Sequence, residues 1–300
     1  MNIKKSLNNP YEFVSWKPNT DCCKKWSAVN CDPKTNRVNE LSWLISSSGE
    51  LFGQISSSIG DLPYLETLVL RHLNITGTIP RSITKLKHLK ELDLSDLSLS
   101  GPVPSFLNQL TALTYLDLSN NQFTGSIPPN LSDLEHIETI YLDANKLTGS
   151  IPESFGKFSR SMNLHLSQNQ LSGQVPKSLG AVNFGAIVLS SNRLVGDASF
   201  LFNPNYGPTW YIGLSGNQFS FDLTKVKFPK GLIWFNISHN KIFGGIPEEM
   251  KLLDLQLFNV SYNNLCGKIP YGGKIQSFEA SSFSHNKCLC GPPTVACRKG

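Results

Sequence analysis

The sequence lacks a long hydrophobic run. None of its stretches approaches the ~18 to 20 consecutive apolar residues that a membrane-spanning helix requires. No apolar segment typical of a signal peptide precedes the first motifs either. Hydrophobic residues nevertheless make up 40% of the chain, which is enough to bury a substantial core. We therefore expect a folded chain without a membrane span.

Charge is also scarce. Charged residues account for 16% of the chain, with 27 Lys and Arg against 22 Asp and Glu. The net charge of +5 is small and scattered, so it does not resemble the basic footprint of a nucleic-acid-binding protein. It gives only a weak bias toward an acidic partner. We expect no nucleic-acid partner.

Cysteine is absent between Cys31 and Cys266 and is concentrated at the two ends of the chain. Terminal clusters are typical of caps stapled by disulfides in an oxidising compartment. Pairing of neighbouring cysteines keeps the closed loops short, and it predicts the disulfides Cys23–Cys31, Cys266–Cys288 and Cys290–Cys297. The odd count of seven leaves Cys22 over. Either a truncated upstream segment carried its partner together with a signal peptide, or Cys22 is a free thiol.

The middle of the chain is occupied by a repeat of the form LxxLxLxxNxLxGxIP. Its asparagine recurs every 23 to 25 residues, at Asn121, Asn145, Asn169, Asn192, Asn217, Asn240 and Asn263. Leu73 and Leu97 continue the register backwards, and Gly49 marks a degenerate first repeat. We count about ten repeats.

The residue types at each position of the repeat predict its structure. Alternation such as Leu116-Asp117-Leu118 places leucines on one side of a short strand and polar residues on the other. Stacked in parallel, successive strands bury one continuous leucine core. The inward asparagine bonds the turning backbone, and the chain returns through short helical stretches such as 154–158. We predict an α/β leucine-rich-repeat solenoid, a right-handed curved superhelix with a concave parallel β-sheet and cysteine-stapled caps.

The polar positions of each strand form the predicted concave face. An acidic set, which includes Asp96, and an aromatic set stand out there, and we expect neither to be needed for the core. Exposed aromatic residues on a rigid scaffold are typical anchors of a protein interface, and acidic residues can meet a basic rim on a partner. We predict the partner-binding residues to be Glu91, Asp93, Tyr115, Asp117, Tyr141, Asp143, His165, Trp210, Tyr211 and Trp234.

Catalytic and metal sites are not indicated. The six histidines stand at scattered repeat offsets, without the spacing of a zinc site or a catalytic triad. Asp93 and Asp117 occupy equivalent positions on neighbouring strands, about 5 Å apart, as in a glycosidase carboxylate pair. Adjacent repeats produce such pairs routinely. We therefore predict that the chain is not an enzyme and holds no metal or cofactor.

The motifs divide the chain into three segments. We predict a truncated N-terminal cysteine cap over 1–37, the leucine-rich-repeat solenoid over 38–265 and a C-terminal cysteine cap over 266–300. Lys4 to Asn8 has the pattern of the end of a cap helix that is stopped by Pro10.

The Gly-x-Ile-Pro repeats, the Cys-Cys-x-x-Trp cap at 22–26 and the closing Cys-Leu-Cys-Gly-Pro-Pro at 288–293 together resemble the plant polygalacturonase-inhibiting proteins. The resemblance covers essentially the whole chain. It implies a secreted, glycosylated defence protein of the cell wall that binds and blocks fungal endopolygalacturonases through its concave face, with pectin as a further contact. Two departures are the cap, which is one residue longer than the usual Cys-Cys-x-Trp, and the loss of the inward Asn at Leu73 and Leu97.

Four Asn-x-Ser/Thr sequons occur, at Asn74, Asn130, Asn236 and Asn259. We expect modification at Asn74 and Asn130, and Asn130 lies on an outer return loop. Asn236 and Asn259 fall on the predicted concave strands, where we expect partial use at most.

Two other functions share this repeat type. Ectodomains of plant receptor-like proteins use it for recognition, although they usually continue into a membrane helix. Plant leucine-rich-repeat antifreeze proteins are similar to the inhibitors, but ice binding favours a flat and regular face. The interruptions at Leu73, Leu97 and Pro204–Pro208 argue against such a face.

Overall fold

The structure is a computed structural model that describes residues 2–8, 13–44, 52–159, 161–204 and 209–297. Its chain divides into two compact units, Met1–Leu147 (unit 1) and Thr148–Gly300 (unit 2). The predicted first-repeat position Gly49 and residues 205–208 of the insertion lie outside the described residues. Within the described ranges, no helix is both long and apolar enough to cross a membrane.

Unit 1 begins with two short helices, α1 (Asn2–Ser6) and α2 (Cys22–Lys25). Helix α1 corresponds to the cap helix predicted near Lys4, and Pro10 lies outside the described residues. The strands of unit 1 are β1 (Val29–Cys31), β2 (Val38–Trp43), β3 (Phe52–Gln54), β4 (Thr67–Leu70), β5 (Asn74–Gly77), β6 (Glu91–Asp93), β7 (Ser98–Pro102), β8 (Tyr115–Asp117), β9 (Gln122–Ser126) and β10 (Thr139–Tyr141). Strand β11 (Lys146–Thr148) lies at the division between the units.

The strands of unit 1 form two sheets. In the main sheet the order is β1-β2-β4-β6-β8-β10, antiparallel at β1 and β2 and parallel thereafter. The register is even: Glu91 pairs with Tyr115, and Asp93 pairs with Asp117. A second sheet contains β3, β5, β7 and β9. Each repeat therefore contributes one strand to each sheet.

Unit 2 repeats the plan. Its strands are β12 (Met162–His165), β13 (Ser172–Gln174), β14 (Phe184–Val188), β15 (Arg193–Gly196), β16 (Tyr211–Gly213), β17 (Gln218–Phe219), β18 (Trp234–Asn236), β19 (Phe243–Gly244), β20 (Leu257–Asn259), β21 (Asn264–Lys268) and β22 (Cys288–Cys290). Its main sheet has the parallel order β12-β14-β16-β18-β20. Two smaller sheets have the orders β13-β15-β17 and β19-β21-β22.

The chain returns between strands through 3₁₀ helices. The helix predicted at 154–158 is present as Glu153–Lys157. The other 3₁₀ helices are Ser57–Asp61, Arg81–Lys85, Ser105–Gln109, Pro129–Asp133, Lys177–Ala181, Ser199–Leu201, Leu223–Lys225, Glu248–Leu252, Gly273–Ser277 and Ala280–Phe283. In most of them a proline such as Pro104 or Pro152 stands at the N-cap, where its fixed φ continues an extended segment into the turn.

The repeat asparagines form the predicted polar ladder. Asn121 is 8% exposed; its Nδ2 donates to the Leu94 carbonyl at 2.7 Å, and its Oδ1 accepts from the Leu99 amide at 2.9 Å. Asn145 repeats the pattern with Leu118 and Phe123. Because each asparagine amide joins two repeats, the ladder supplies hydrogen bonds to buried backbone N–H and C=O groups that the short strands leave unpaired. Leu73 and Leu97 occupy the same register as buried apolar side chains without an amide.

Both ends of the chain are closed as the cysteine pattern predicts. The disulfides are Cys23–Cys31, Cys266–Cys288 and Cys290–Cys297, and Cys22 is outside every disulfide of the described residues. In the N-terminal cap the rings of Trp16 and Trp26 stack with their centroids 4.6 Å apart. Phe13 packs at 4.6 Å from Trp16, and both are buried, so the cap covers the end of the leucine core.

Candidate partner-binding face

Successive residues of each main-sheet strand alternate between the core side and the outer side of the sheet. Leu92, Leu116 and Ile140 are fully buried, and the residues that flank them lie on the opposite side. We call this side of unit 1 the unit 1 strand face, defined by Arg71, Glu91, Asp93, Tyr115, Asp117, Tyr141 and Asp143. The corresponding side of unit 2 is the unit 2 strand face, defined by His165, Trp210, Tyr211, Trp234, Asn236 and Leu257. The predicted partner-binding residues therefore fall into two groups, one in each unit.

Asp93 and Asp117, two of the predicted partner-binding residues, are buried in the structure. Their side chains are 1% and 7% exposed. Asp93 accepts from the amide and the hydroxyl of Ser95, at 3.0 and 2.7 Å. Asp117 does the same with Ser119, at 2.8 and 2.6 Å. Each carboxylate is drawn in because it closes the bend that follows its own strand.

Arg71 connects two repeats across this face. Its Nη2 forms an ion pair with Asp93, and its Nε donates to the Ser95 hydroxyl at 3.1 Å. This hydrogen bond to Asp93 raises the pKa of the Arg71 guanidinium above its usual value. The buried carboxylate of Asp93 is therefore neutralised within the protein. The sequence predicts that the acidic set is not needed for the core, whereas Asp93 is buried in an ion pair that joins two repeats.

Besides Asp93, the unit 1 strand face has two carboxyl groups close to Tyr115, those of Glu91 and Asp117. Burial raises the pKa of Asp117, and the nearby Asp93 adds to the rise. Burial also raises the pKa of Glu91, with further contributions from Asp93 and Glu40. The Tyr115 hydroxyl donates to Asp117 Oδ2 at 3.4 Å, and the Tyr115 ring centroid is 5.8 Å from that of Tyr141. This arrangement is suited to a cation, which would lower both carboxyl pKa values and contact the tyrosine rings.

Asp96 and Asp143 complete the acidic set of unit 1. Asp96 lies 3.5 Å from His72 Nδ1 at the end of its repeat, and Asp143 is half-buried. Both follow the strand, so they stand at the edge of the unit 1 strand face and beside its bends.

The unit 2 strand face is aromatic and has no Asp, Glu, Lys or Arg in its five main-sheet strands. The Trp234 ring meets Trp210 at 5.6 Å and Tyr211 at 5.4 Å, in both cases nearly perpendicular. Trp210 is 36% exposed and Trp234 is 39% exposed. Such edge-to-face packing stabilises an aromatic group while leaving part of it open to a partner.

His165 is part of this face but remains neutral. Burial lowers the pKa of its imidazole to about 4, so the side chain carries no charge near neutral pH. Its ring lies 6.4 Å from that of Tyr211. It therefore contributes apolar contact rather than a charge to this face.

Three residues of these faces, Arg71, Asn236 and Leu257, were not among the predicted partner-binding residues. Arg71 departs from the serine that most repeats carry at the bend, and this departure is visible in the sequence. Leu257 is 41% exposed and extends the unit 2 strand face beyond Trp234, with which it is in register. The repeat register places Leu257 at the same outward position as Trp234, although its residue type alone does not mark it as a surface residue.

The geometry does not support catalysis or metal binding at the predicted alternatives. Asp93 is paired with Arg71, and Asp117 is bonded to Ser119, so neither is poised as a glycosidase acid or nucleophile. Among the described residues, the potential ligand atoms that lie close enough together to share a metal ion are the sulfurs of Cys22, Cys23 and Cys31. Cys23 and Cys31 form a disulfide and therefore have no thiolate to offer a metal.

Comparison with known proteins identifies the repeat and its family. Residues 63–123 match the leucine rich repeat family, residues 111–154 match leucine rich repeats in two copies, and residues 1–32 match the leucine rich repeat N-terminal domain. The chain is 56% identical to a polygalacturonase inhibitor from Vitis vinifera over 99% of the chain and 89% of the relative. It is 53% identical to polygalacturonase inhibitor 1 from Arabidopsis thaliana, over 99% of the chain and 90% of the relative.

Among solved structures, a plant ice-binding protein is similar over 100% of this chain and 96% of its own, with a TM-score of 0.94 and 46% identity. The predicted leucine-rich-repeat solenoid is thereby confirmed. The chain belongs to the family of plant polygalacturonase inhibitors, leucine-rich-repeat proteins that are not enzymes.

Proposed function

We propose that this protein is an extracellular plant defence protein that binds fungal endopolygalacturonases and inhibits them. Membership of the inhibitor family supports the class of partner. The observation that carries the docking proposal is the unit 1 strand face, where half-buried Glu91 is in register with Tyr115 and the Tyr115 ring centroid lies 5.8 Å from that of Tyr141. A basic rim around the catalytic cleft of the enzyme would complement this face.

Inhibition follows from docking rather than from chemistry. A rigid parallel sheet presents its side chains without reorganisation, so little conformational entropy is lost on binding. The half-buried carboxyl of Glu91 attracts cationic groups, and the aromatic residues of the unit 2 strand face offer a second, uncharged contact area. An enzyme held in this way cannot admit a polymeric substrate to its cleft.

The experiment is an inhibition assay over a panel of fungal endopolygalacturonases, at several salt concentrations. We expect at least one enzyme to be inhibited and the affinity to fall as salt rises, because the attraction to exposed charges is screened. Gln122→Ala, on an exposed strand of the second sheet, is the matched control and should inhibit like the wild type. A folded protein that inhibits no member of the panel would contradict the proposal.

We also propose that pectin contacts the cationic residues beside the second sheets. In unit 2, Arg193 and Lys241 donate to the side chains of Gln170 and Gln218, each from the preceding repeat. These amides hold the cations at fixed positions along the repeat, which suits an acidic polymer. Retention on immobilised pectate, lost in an Arg193→Gln/Lys241→Gln variant, is the expected result. Equal retention of the variant would contradict it.

A second candidate function is ice binding, favoured by the likeness to the plant ice-binding protein. The two strand faces argue against ice binding. The unit 1 strand face contains the Arg71–Asp93 ion pair, and the unit 2 strand face contains the large, nearly perpendicular rings of Trp210 and Trp234. Growth of single ice crystals in the presence of the protein separates the two functions. Shaped crystals together with no enzyme inhibition would favour ice binding.

A further inference from the structure

The asparagine ladder continues one rung beyond Asn263. Asn286 follows Asn263 by 23 residues, which is the spacing of the repeat. Its Nδ2 donates to the Val260 carbonyl at 3.0 Å, and its Oδ1 accepts from the Leu265 amide at 3.0 Å, as Asn121 does with its own two partners. The segment that carries Asn286 is therefore a further turn of the solenoid, packed on the repeat of Asn263.

This further turn leaves two successive backbone N–H groups without an acceptor. In the turn before it, the Tyr262 amide donates to the Ser284 carbonyl at 3.0 Å and the Asn263 amide donates to the His285 carbonyl at 3.2 Å. The counterparts of these two donors are the amides of His285 and Asn286, and the bend is the same, with φ of 54° at Tyr262 and 56° at His285. Neither counterpart donates to an acceptor of the described residues. The two N–H groups are therefore presented at the C-terminal end of the ladder.

A stack of three exposed rings ends at the same turn. The Tyr262 ring lies between the imidazoles of His239 and His285, with its centroid 4.1 Å from each and interplanar angles of 11° and 16°. Tyr262 covers one face of the His285 ring. Within the described part of the chain, no ring stacks on its other face. The stack can therefore accept one more flat ring beyond His285.

A cleft of about 510 Å³ borders both features, and we call it the C-cap cleft. It is lined by His285 and Asn286 and by the apolar side chains of Phe283, Leu289 and Val295. None of the described residues that line it is acidic. The volume falls within the range of small-molecule sites, about 300–1,000 Å³. The C-cap cleft thus combines apolar walls, a free ring face and two hydrogen-bond donors.

We propose that the C-cap cleft binds a planar aromatic carboxylate. The ring of the ligand lies on the free face of His285 and extends the stack. Its carboxylate accepts from the backbone N–H groups of His285 and Asn286, in place of the two carbonyl oxygens that another turn would supply.

Each part of this ligand matches one feature of the C-cap cleft. A neutral ring would leave the two N–H donors to water, and an aliphatic acid would offer no flat face to His285. The residues of the C-cap cleft belong to neither strand face, so the inference is independent of the proposed docking of an endopolygalacturonase.

The first experiment is isothermal titration calorimetry of the full chain with 2-naphthoate, in the absence of any enzyme. We expect saturable one-to-one binding. Naphthalene-2-carboxamide keeps the ring and loses the charge, so it should bind about tenfold more weakly or worse. Cyclohexanecarboxylate keeps the charge and loses the flat face, and it should bind about fivefold more weakly. Absence of saturable 2-naphthoate binding, or equal affinity for either analogue, would overturn the inference.

Variants of the ring stack test the position of the ligand. His285→Ala should weaken 2-naphthoate binding about fivefold, and His285→Phe, which keeps a flat face, should restore it. His239→Ala is the matched control, because His239 belongs to the same stack and has a φ of 54° but does not line the C-cap cleft. It should bind like the wild type. Unchanged affinity in folded His285→Ala, or an equal loss in His239→Ala, would refute the contact with His285.

Nuclear magnetic resonance tests the two backbone donors directly. On addition of 2-naphthoate, the amide protons of His285 and Asn286 should shift to lower field, with the same dissociation constant as the calorimetry. The amides of His239 and Asn240 are the internal control, because each already donates to a carbonyl at 3.0 Å, and they should not shift. Binding that leaves the His285 and Asn286 resonances unchanged would place the ligand elsewhere and overturn the inference.

Discussion

Replacing Asn121 by alanine should destabilise unit 1 by about 2–6 kcal/mol. The asparagine side chain is 8% exposed and bridges two repeats: it accepts from the Leu99 amide and donates to the Leu94 carbonyl. Leu94 and Leu99 are fully buried, so water cannot replace the lost partner. Each buried backbone group left unsatisfied costs about 1–3 kcal/mol, and two such groups give the stated range.

Urea unfolding followed by circular dichroism measures this loss. Gln122→Ala is the matched control, because Gln122 is the next residue, belongs to the same repeat and is exposed, so its replacement should change the free energy of unfolding by less than about 0.5 kcal/mol. A loss of less than about 0.5 kcal/mol in Asn121→Ala would refute the view that the amide ladder joins the repeats. Leu97 stands in the same register without an amide, which shows that a single rung is replaceable where an apolar side chain fills the space.

Three further predictions follow from the strand faces. Arg71→Met should lower the free energy of unfolding by about 2 kcal/mol, because Asp93 is left buried without its cation, and an unchanged urea midpoint would count against this pairing. The folded-state pKa of His165 is depressed to about 4, so the stability it provides is complete above its unfolded value of 6.5 and is lost as the pH falls toward 4. His165→Gln should therefore remove about 2–3 kcal/mol of acid destabilisation by pH 4, seen as a flatter profile of Tm against pH. The pKa of Glu91 is raised, and a bound cation lowers it, so affinity for a basic partner should rise with pH across the acidic range in the wild type and rise less in Glu91→Gln.

The repeat period made the fold predictable from sequence. Spacings of 23 to 25 residues set the strand register, and the structure pairs Glu91 with Tyr115 and Asp93 with Asp117 as that register requires. Cysteine spacing predicted the three disulfides for a similar reason, since each closes a short loop within a cap. These features depend on local sequence and on the contact of one repeat with the next.

The burial of Asp93 and Asp117 could not be read from the repeat. Strand alternation gives the side of the sheet on which a residue lies, but it does not say whether neighbours cover it. The burial of Asp93 depends on Arg71, which extends from the preceding repeat, and on Ser95 at the bend after the strand.

The central claim is that the unit 1 strand face docks the enzyme. The most direct measurement is the dissociation constant of an inhibited fungal endopolygalacturonase for the wild type, for Tyr115→Ala and for Gln122→Ala, with circular dichroism to confirm folding. We expect Tyr115→Ala to weaken binding about tenfold or more, as for an anchor residue of an interface, and Gln122→Ala to bind like the wild type. Equal affinity of all three folded proteins would contradict the account.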